Sequence, residues 1–199
     1  MDNYIYMSGA LTGLGDDDLK YANGLYDQVE DLCKSLGIDC YLPGKSSTTP
    51  SKGIPHHKVW KIDYEKVSGS SAVVAYVGLP STGVGAEIEM ARQAEVPIIL
   101  LCEEERQDGV SRLVLGNPRV KDIVPFTTFS EMKTKLQPIL VEVISEANLY
   151  KAASDGWPYP DVEEFKKSSL VAARKRKTPI SVDEWKQIYI DTKQKKRLI

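Results

Sequence analysis

The sequence predicts an α/β protein: a doubly wound, mostly parallel sheet of about five strands, followed by a C-terminal helical extension. Three observations carry this expectation. Unbroken apolar runs such as Ala72-Val73-Val74-Ala75-Tyr76-Val77 and Pro97-Ile98-Ile99-Leu100-Leu101-Cys102 are what strands covered on both faces require. They alternate with segments of helical spacing, the pattern of parallel strands joined by crossover helices. The charge also divides along the 199 residues. Residues 150–199 hold 12 Lys/Arg against 7 Asp/Glu, near +5, while residues 1–149 hold 14 against 21, near −7. Charge asymmetry of this size points to two parts with different tasks.

Each element has its own local reason. Tyr4-Ile5-Tyr6-Met7 is a short apolar and aromatic run ending in Ser8-Gly9, a buried strand entering a tight turn. Residues 16–36 place Leu19, Ala22, Leu25, Tyr26, Val29, Leu32 and Cys33 at helical spacing, with Asp16-Asp17-Asp18 at the positive end of the helix and Gly37 as its stop. Residues 38–42 give a second strand closed by Pro43-Gly44, and the Ser-, Thr- and Pro-rich stretch 45–55 reads as a mobile loop. A helix is expected over 56–68, with Val59, Trp60, Asp63 and Val67 near one face. The central strand follows at 72–77, then a Gly-containing turn over 80–85 and a helix over 86–94. The next strand lies at 97–102, a short helix at 110–115, a last strand at 122–126 and a long amphipathic helix at 131–149. Beyond it, Gly156-Trp157-Pro158-Tyr159-Pro160 reads as a breaker, followed by two helical candidates over 162–174 and 182–195. The alternation gives a Rossmann/flavodoxin-like core. Such sheets bind ligands beyond the carboxyl ends of their strands. Three turns fall there: residues 8–13, residues 80–85 and the stretch after Cys102.

Composition excludes several classes. No apolar run approaches the ~20 residues of a membrane span, so no membrane partner is expected. The start, Met1-Asp2-Asn3-Tyr4, has neither a basic nor a long apolar stretch, so no secretory leader is expected. Cys33, Cys40 and Cys102 are an odd count without C-x-x-C spacing, which fits a reducing, cytoplasmic compartment and no zinc site. Cys40 and Cys102, on expected strands, read as buried thiols. The net charge of −2 does not suggest a nucleic-acid partner.

The strongest local chemical feature is Pro80-Ser81-Thr82-Gly83-Val84-Gly85-Ala86-Glu87, directly after a buried strand. Its glycines let the backbone approach a ligand, and the amides of the new helix can hold an anion. Glu87, expected in the first turn, either complements the helix dipole or serves as nucleophile or general acid/base. Asp63, between Ile62 and Tyr64, reads either as a salt-bridged surface acid or as a second catalytic carboxylate. Two carboxylates in one pocket would permit glycosidic chemistry.

Ile5-Tyr6-Met7-Ser8-Gly9, then Asp63 before an apolar strand ending Ala75-Tyr76-Val77, then Ser81-Thr82-Gly83-Val84-Gly85-Ala86-Glu87: this order resembles the nucleoside 2-deoxyribosyltransferase-like superfamily, and within it the 2'-deoxynucleoside 5'-phosphate N-hydrolase branch. The resemblance covers residues 4–145 and implies a catalytic domain over 1–147 with a basic, helical extension over 148–199. It implies Glu87 as the nucleophile on C1' of the sugar and Asp63 as the assistant in proton transfer. It implies substrate contacts from Tyr6, Ser8, Gly9, Ala10, Leu11, Ser81, Gly83 and Gly85. Ser81, six residues before Glu87, stands where transferases of the superfamily carry an aspartate. An aspartate would repel a phosphate dianion, whereas a hydroxyl beside glycine amides would bind it. Ser111 matches a serine that reaches the phosphate from the neighbouring subunit, which implies a homodimer with shared sites; the bland reading of Ser111 is a helix cap. The branch often carries an arginine in the loop after the first strand, where this chain has Ala10-Leu11-Thr12-Gly13 and no basic residue.

The expected activity is hydrolysis of the N-glycosidic bond of a (deoxy)nucleoside 5'-monophosphate, without a metal or organic cofactor. The alternatives are base exchange by a deoxyribosyltransferase and a catalytically silent nucleotide sensor. Among weaker features, His56-His57 lacks a third ligand at metal spacing. Tyr6, Tyr41 and Trp60 could stack on a base, with core packing the default for Tyr6 and Trp60. Arg174-Lys175-Arg176-Lys177 reads as a solvated face, a nuclear-localisation or nucleic-acid patch, or a cover for the pocket or a partner.

Overall fold

A computed structural model describes residues 3–46, 53–154, 166, 170 and 173–197. The breaker at 156–160, most of the loop at 45–55 and most of the helix expected at 162–174 lie outside these. Five strands form one sheet in the order β2-β1-β3-β4-β5, with every neighbouring pair parallel. They are β1 (Tyr4–Ser8), β2 (Asp39–Tyr41), β3 (Ala72–Tyr76), β4 (Ile98–Glu103) and β5 (Val120–Phe126). Between and after them run α1 (Asp16–Ser35), α2 (His56–Ser68), α3 (Thr82–Gln93), the single turn α4 (Arg112–Leu115), α5 (Phe129–Ser154) and α6 (Val182–Arg197). Short 3-10 turns follow β2 at Pro43–Lys45 and β4 at Glu104–Gly109. The doubly wound expectation holds, and the sheet is parallel throughout.

The connections fix where a ligand can sit. The chain leaves β1 through α1 to β2 on one side, and returns through α2 to β3 on the other. The strand order therefore reverses between β1 and β3, and the crevice outside their carboxyl ends is the place such a fold offers a ligand. Ser8 is paired with Ala75 at this end of the sheet.

The chain forms two compact units, Met1–Leu136 and Gln137–Ile199. In the first, every residue of β3 and β4 is buried. Tyr6, Val73, Ala75, Ile98 and Leu100 from the strands pack with Val67 of α2 and Val84, Ile88 and Ala91 of α3. Glycine is required where backbone meets a large ring: a Cβ on Gly9 would lie 2.2 Å from the Tyr26 ring, whose hydroxyl donates to the Ala10 carbonyl at 3.1 Å. The second unit has its own core of Leu149, Ala152, Leu170, Ala173, Ile180 and Trp185. There the Trp185 indole donates to the Ser145 carbonyl at 2.7 Å, and the Ser145 hydroxyl accepts from the Ile180 amide at 2.8 Å. Among the described residues no helix is long and apolar enough to cross a membrane.

Three local expectations are corrected. The helix after β3 starts at Thr82, not Ala86, because the Ser81 side chain accepts from the Val84 amide at 3.4 Å and caps it. Gly83 and Gly85 are thus the first helical turn rather than a separate loop, and Glu87 lies in the second turn. Trp60 is not in the core: it is 57% exposed and stacks on Tyr64 with ring centroids 5.2 Å apart and planes 9° from parallel. Cys102 is buried as expected, but Cys40, on the edge strand β2, is only half-buried.

Candidate active site

β1 aims two side chains at one carboxylate. Tyr6 and Ser8 are two residues apart on a strand and so share a face; both are fully buried. The Tyr6 hydroxyl donates to Glu87 Oε1 at 2.6 Å, and the Ser8 hydroxyl donates to Glu87 Oε2. Both oxygens of Glu87 are therefore held, and the carboxylate is fixed at the crevice beside β1. Asp63 faces the same place from α2, which packs against α3. Its Oδ1 is enclosed by protein, and its charge acts on both Glu87 and Tyr6.

Burial of the Glu87 carboxyl pushes its pKa up to about 7. The hydrogen bonds from Ser8 and Tyr6 favour the ionised form and pull the other way, while the negative charge of Asp63 adds to the rise. Burial, then the Glu87 charge, pushes the Tyr6 phenol far above its ordinary value, so it remains a donor. The Tyr6 ring also stacks on Tyr41 at 5.5 Å.

The other expected contact residues divide between two hollows. Gly9 and Leu11 line a small cavity of about 310 Å³ with Tyr26, Pro43 and Lys45. Ala10 is packed inside. Ser81 and Gly85 line a larger cleft of about 990 Å³, and Ser111 lines the same cleft from the start of α4. Ser111 occupies the N-cap position there, but its side chain makes no capping hydrogen bond. Gly83 is exposed in the first turn of α3 and lines neither hollow. Glu87 also lines neither, since its carboxylate is turned to β1. His56 and His57 are exposed at the start of α2.

Two features were missed by sequence reading. One is the hydrogen bonding of Tyr6 and Ser8 to Glu87, whose only trace in the sequence is the two-residue spacing on β1. The other is Arg106, which lines the larger cleft from a stretch that reads as an ordinary charged turn.

No protein-family model matches the chain. Over 114 residues it is 32% identical to a protein of Methanosarcina mazei named "Putative 2'-deoxynucleoside 5'-phosphate N-hydrolase 1", a match spanning 57% of this chain and 68% of that protein. Its fold is shared by the CMP N-glycosidase of Clostridium botulinum, with a TM-score of 0.50 and 17% identity over 67% of this chain and 98% of that one. It is shared too by a 2-deoxyribosyltransferase of Bacillus psychrosaccharolyticus, with a TM-score of 0.50 and 14% identity over 65% and 90% of the two chains.

Proposed function

The chain belongs to the 2'-deoxynucleoside 5'-phosphate N-hydrolase family of the nucleoside 2-deoxyribosyltransferase-like superfamily, and from that premise we propose that it hydrolyses the N-glycosidic bond of (deoxy)nucleoside 5'-monophosphates through a Glu87 nucleophile. The observation that carries this reading is the Glu87 carboxylate itself: fixed at both oxygens by Tyr6 and Ser8, set at the β1/β3 crevice, and faced by the like charge of Asp63.

In the proposed reaction an ionised Glu87 oxygen attacks C1' of the sugar. The C1'–N bond breaks, and its electron pair leaves with the base, which takes up the proton that Asp63 carries. A glycosyl ester of Glu87 remains. Asp63 then accepts a proton from water as the water oxygen attacks C1', and the ester bond breaks to return the Glu87 carboxylate and sugar 5-phosphate. Tyr6 and Ser8 keep the attacking oxygen aimed, an orientation that lowers the entropy cost of the step. Ser81, the first-turn amides of α3 and Ser111 receive the phosphate; a hydroxyl at Ser81 suits a dianion, where a carboxylate would repel it. The catalytic domain is 1–147, and Ser111 serves the site of a partner subunit in a homodimer.

The test is base release from a panel of ribo- and deoxyribonucleoside monophosphates, read alongside unphosphorylated nucleosides. Wild type should release base from the monophosphates, and Glu87→Ala should not; comparable activity in the two proteins would end the assignment. Site sharing has a separate test. Mixing Glu87→Ala with Ser111→Ala subunits under exchanging conditions should restore part of the activity that each variant lacks alone, because one composite site is then intact. No recovery would show that Ser111 serves its own chain.

A further inference from the structure

A phosphate dianion is best held with a cation near it, and the loop after β1, where the family often carries one, has none. Two guanidinium groups line the larger cleft with Ser81 and Thr82. They are not equivalent. Arg92, on α3, is closed into a fork with Glu89 of the same helix, Nε to Oε2 at 2.8 Å and Nη2 to Oε1 at 2.6 Å. Arg106, in the 3-10 turn after β4, makes only long contacts among the described residues. Its Nη1 donates to the Gly78 carbonyl at 3.4 Å, Nη2 lies 3.8 Å from Asp18, and Nε lies 3.9 Å from Glu103. A guanidinium has five N–H donors, so most of the donor capacity of Arg106 is uncommitted.

The ground under Arg106 explains its position. Glu103, the last residue of β4, is 6% exposed and accepts from the Tyr76 hydroxyl at 2.7 Å. Its Oε2 is enclosed by protein, and the Tyr21 hydroxyl is drawn to the same carboxylate. Gly78 crosses this carboxylate so closely that a Cβ there would lie 2.1 Å from Oε2 and 2.7 Å from the Tyr76 ring. The backbone can follow this path only with glycine, and the Gly78 carbonyl is the one that Arg106 meets. A buried carboxylate below and a carbonyl beside it hold the guanidinium at the cleft wall by charge without closing its fork. Glu105 also lines the cleft but is exposed, where water and salt screen its repulsion of an anion.

We propose that Arg106 is the phosphate-binding cation of this site, kept in position by Glu103 and the Gly78 carbonyl, and that it gives the enzyme its preference for phosphorylated over unphosphorylated substrates. The assignment rests on the nucleotide reading above, and its test separates the two. The full chain is titrated calorimetrically with 2-deoxyribose 5-phosphate, ribose 5-phosphate and the corresponding free sugars. Arg106→Gln should weaken sugar-phosphate binding by about 10- to 100-fold, the loss of a charge-assisted hydrogen bond. Arg106→Lys, which keeps the charge but not the fork, should lose less. The kcat/KM for unphosphorylated nucleosides should hold while that for monophosphates falls, whereas a merely structural role would lower both together. Unchanged sugar-phosphate affinity in Arg106→Gln overturns the assignment, as does a wild type that binds sugar phosphates no better than sugars. If wild type binds sugar phosphate through Arg106 but releases no base from any nucleotide, the reaction proposed above fails and the Arg106 assignment stands. Should Arg106→Gln fail to fold because Glu103 is left buried beside no cation, the double variant Glu103→Gln/Arg106→Gln removes both charges and carries the same test.

Discussion

Two carboxylates stand at the carboxyl end of the sheet, each bonded to a tyrosine from a central strand, and their surroundings send them to different tasks. Glu87 accepts from Tyr6 of β1 at 2.6 Å and Glu103 accepts from Tyr76 of β3 at 2.7 Å. Tyr26 lies between the two groups: its ring meets Tyr76 edge-on at 6.4 Å, and the Glu87 charge helps raise its own pKa. What differs is the neighbouring charge. Glu87 has a hydroxyl, from Ser8, and a like charge, from Asp63. Glu103 also has a second hydroxyl, from Tyr21, but the charge beside it is a guanidinium, from Arg106. A buried carboxylate beside another carboxylate is a poised base or nucleophile; a buried carboxylate beside an arginine is an anchor.

Neutralising each in turn gives the largest expected effect and the first way to break this distinction. Glu87→Gln keeps the shape and removes the attacking lone pair and charge, so kcat for base release should fall by about 10³-fold or more. Glu103→Gln keeps an acceptor for Tyr76 and leaves the reacting atoms alone. Its kcat should stay within about tenfold of wild type, and its effect should appear as a higher KM for monophosphates, since Arg106 is held less firmly. Steady-state kinetics on both variants decides the matter. Equal losses of kcat would erase the difference in role.

The sequence carried the fold further than the site. Runs such as 72–77 and 97–102 are apolar because both faces of a central parallel strand are covered, and that signal is local. Ser81 and the helix after it were legible for the same reason, although the capping hydrogen bond moves the helix start back to Thr82. The contact that sets Glu87 is not local: Tyr6 is 81 positions away, and only the closed sheet joins them. Order and spacing of motifs, through the family resemblance, named Glu87 and Asp63 where periodicity alone left bland readings open. Trp60 misled because an indole on a helix suggests core packing, yet α2 covers the sheet with one side only and leaves this ring on the other. Glu103-Glu104-Glu105-Arg106 reads as a solvated charge run. Nothing in the letters shows that the first glutamate belongs to a buried strand end while the next two face water.

A second, smaller effect sharpens the comparison through stability. The Glu87 carboxyl titrates near 7 in the folded protein against an ordinary value of 4.5. Between those values the native state holds a proton that the unfolded chain has lost, so this residue makes stability fall as pH rises from about 4.5 to about 7. Above that range the full cost is present. Glu87→Gln removes it, so the variant should match wild type below about pH 4.5 and exceed it above pH 7 by on the order of 3 kcal/mol. Urea unfolding midpoints of both proteins across pH 4.5 to 8 measure the gap. A gap that stays constant with pH would mean that Glu87 is not the buried, destabilised carboxylate described.

The smallest effect concerns the tyrosine hydroxyl that each carboxylate accepts from, and it tests direction rather than size. In the Glu87 group the Tyr6 hydroxyl donates to the ionised carboxylate and so holds its pKa down against burial. Tyr6→Phe removes that donor and leaves the ring in its stack with Tyr41. The Glu87 pKa should then rise, and the acid limb of kcat/KM, which reports ionisation of the nucleophile in the free enzyme, should move to higher pH by about 0.5 to 1 unit. Well above the limb, where Glu87 is ionised in both proteins, the variant should come within a few-fold of wild type; below the limb, the shift should add a further loss of about 3- to 10-fold. Tyr76→Phe, beside the arginine-balanced Glu103, should leave the limb where it is. A limb that moves down, stays put in Tyr6→Phe, or shifts equally in both variants would break the link between the Tyr6–Glu87 hydrogen bond and the reactivity of this carboxylate.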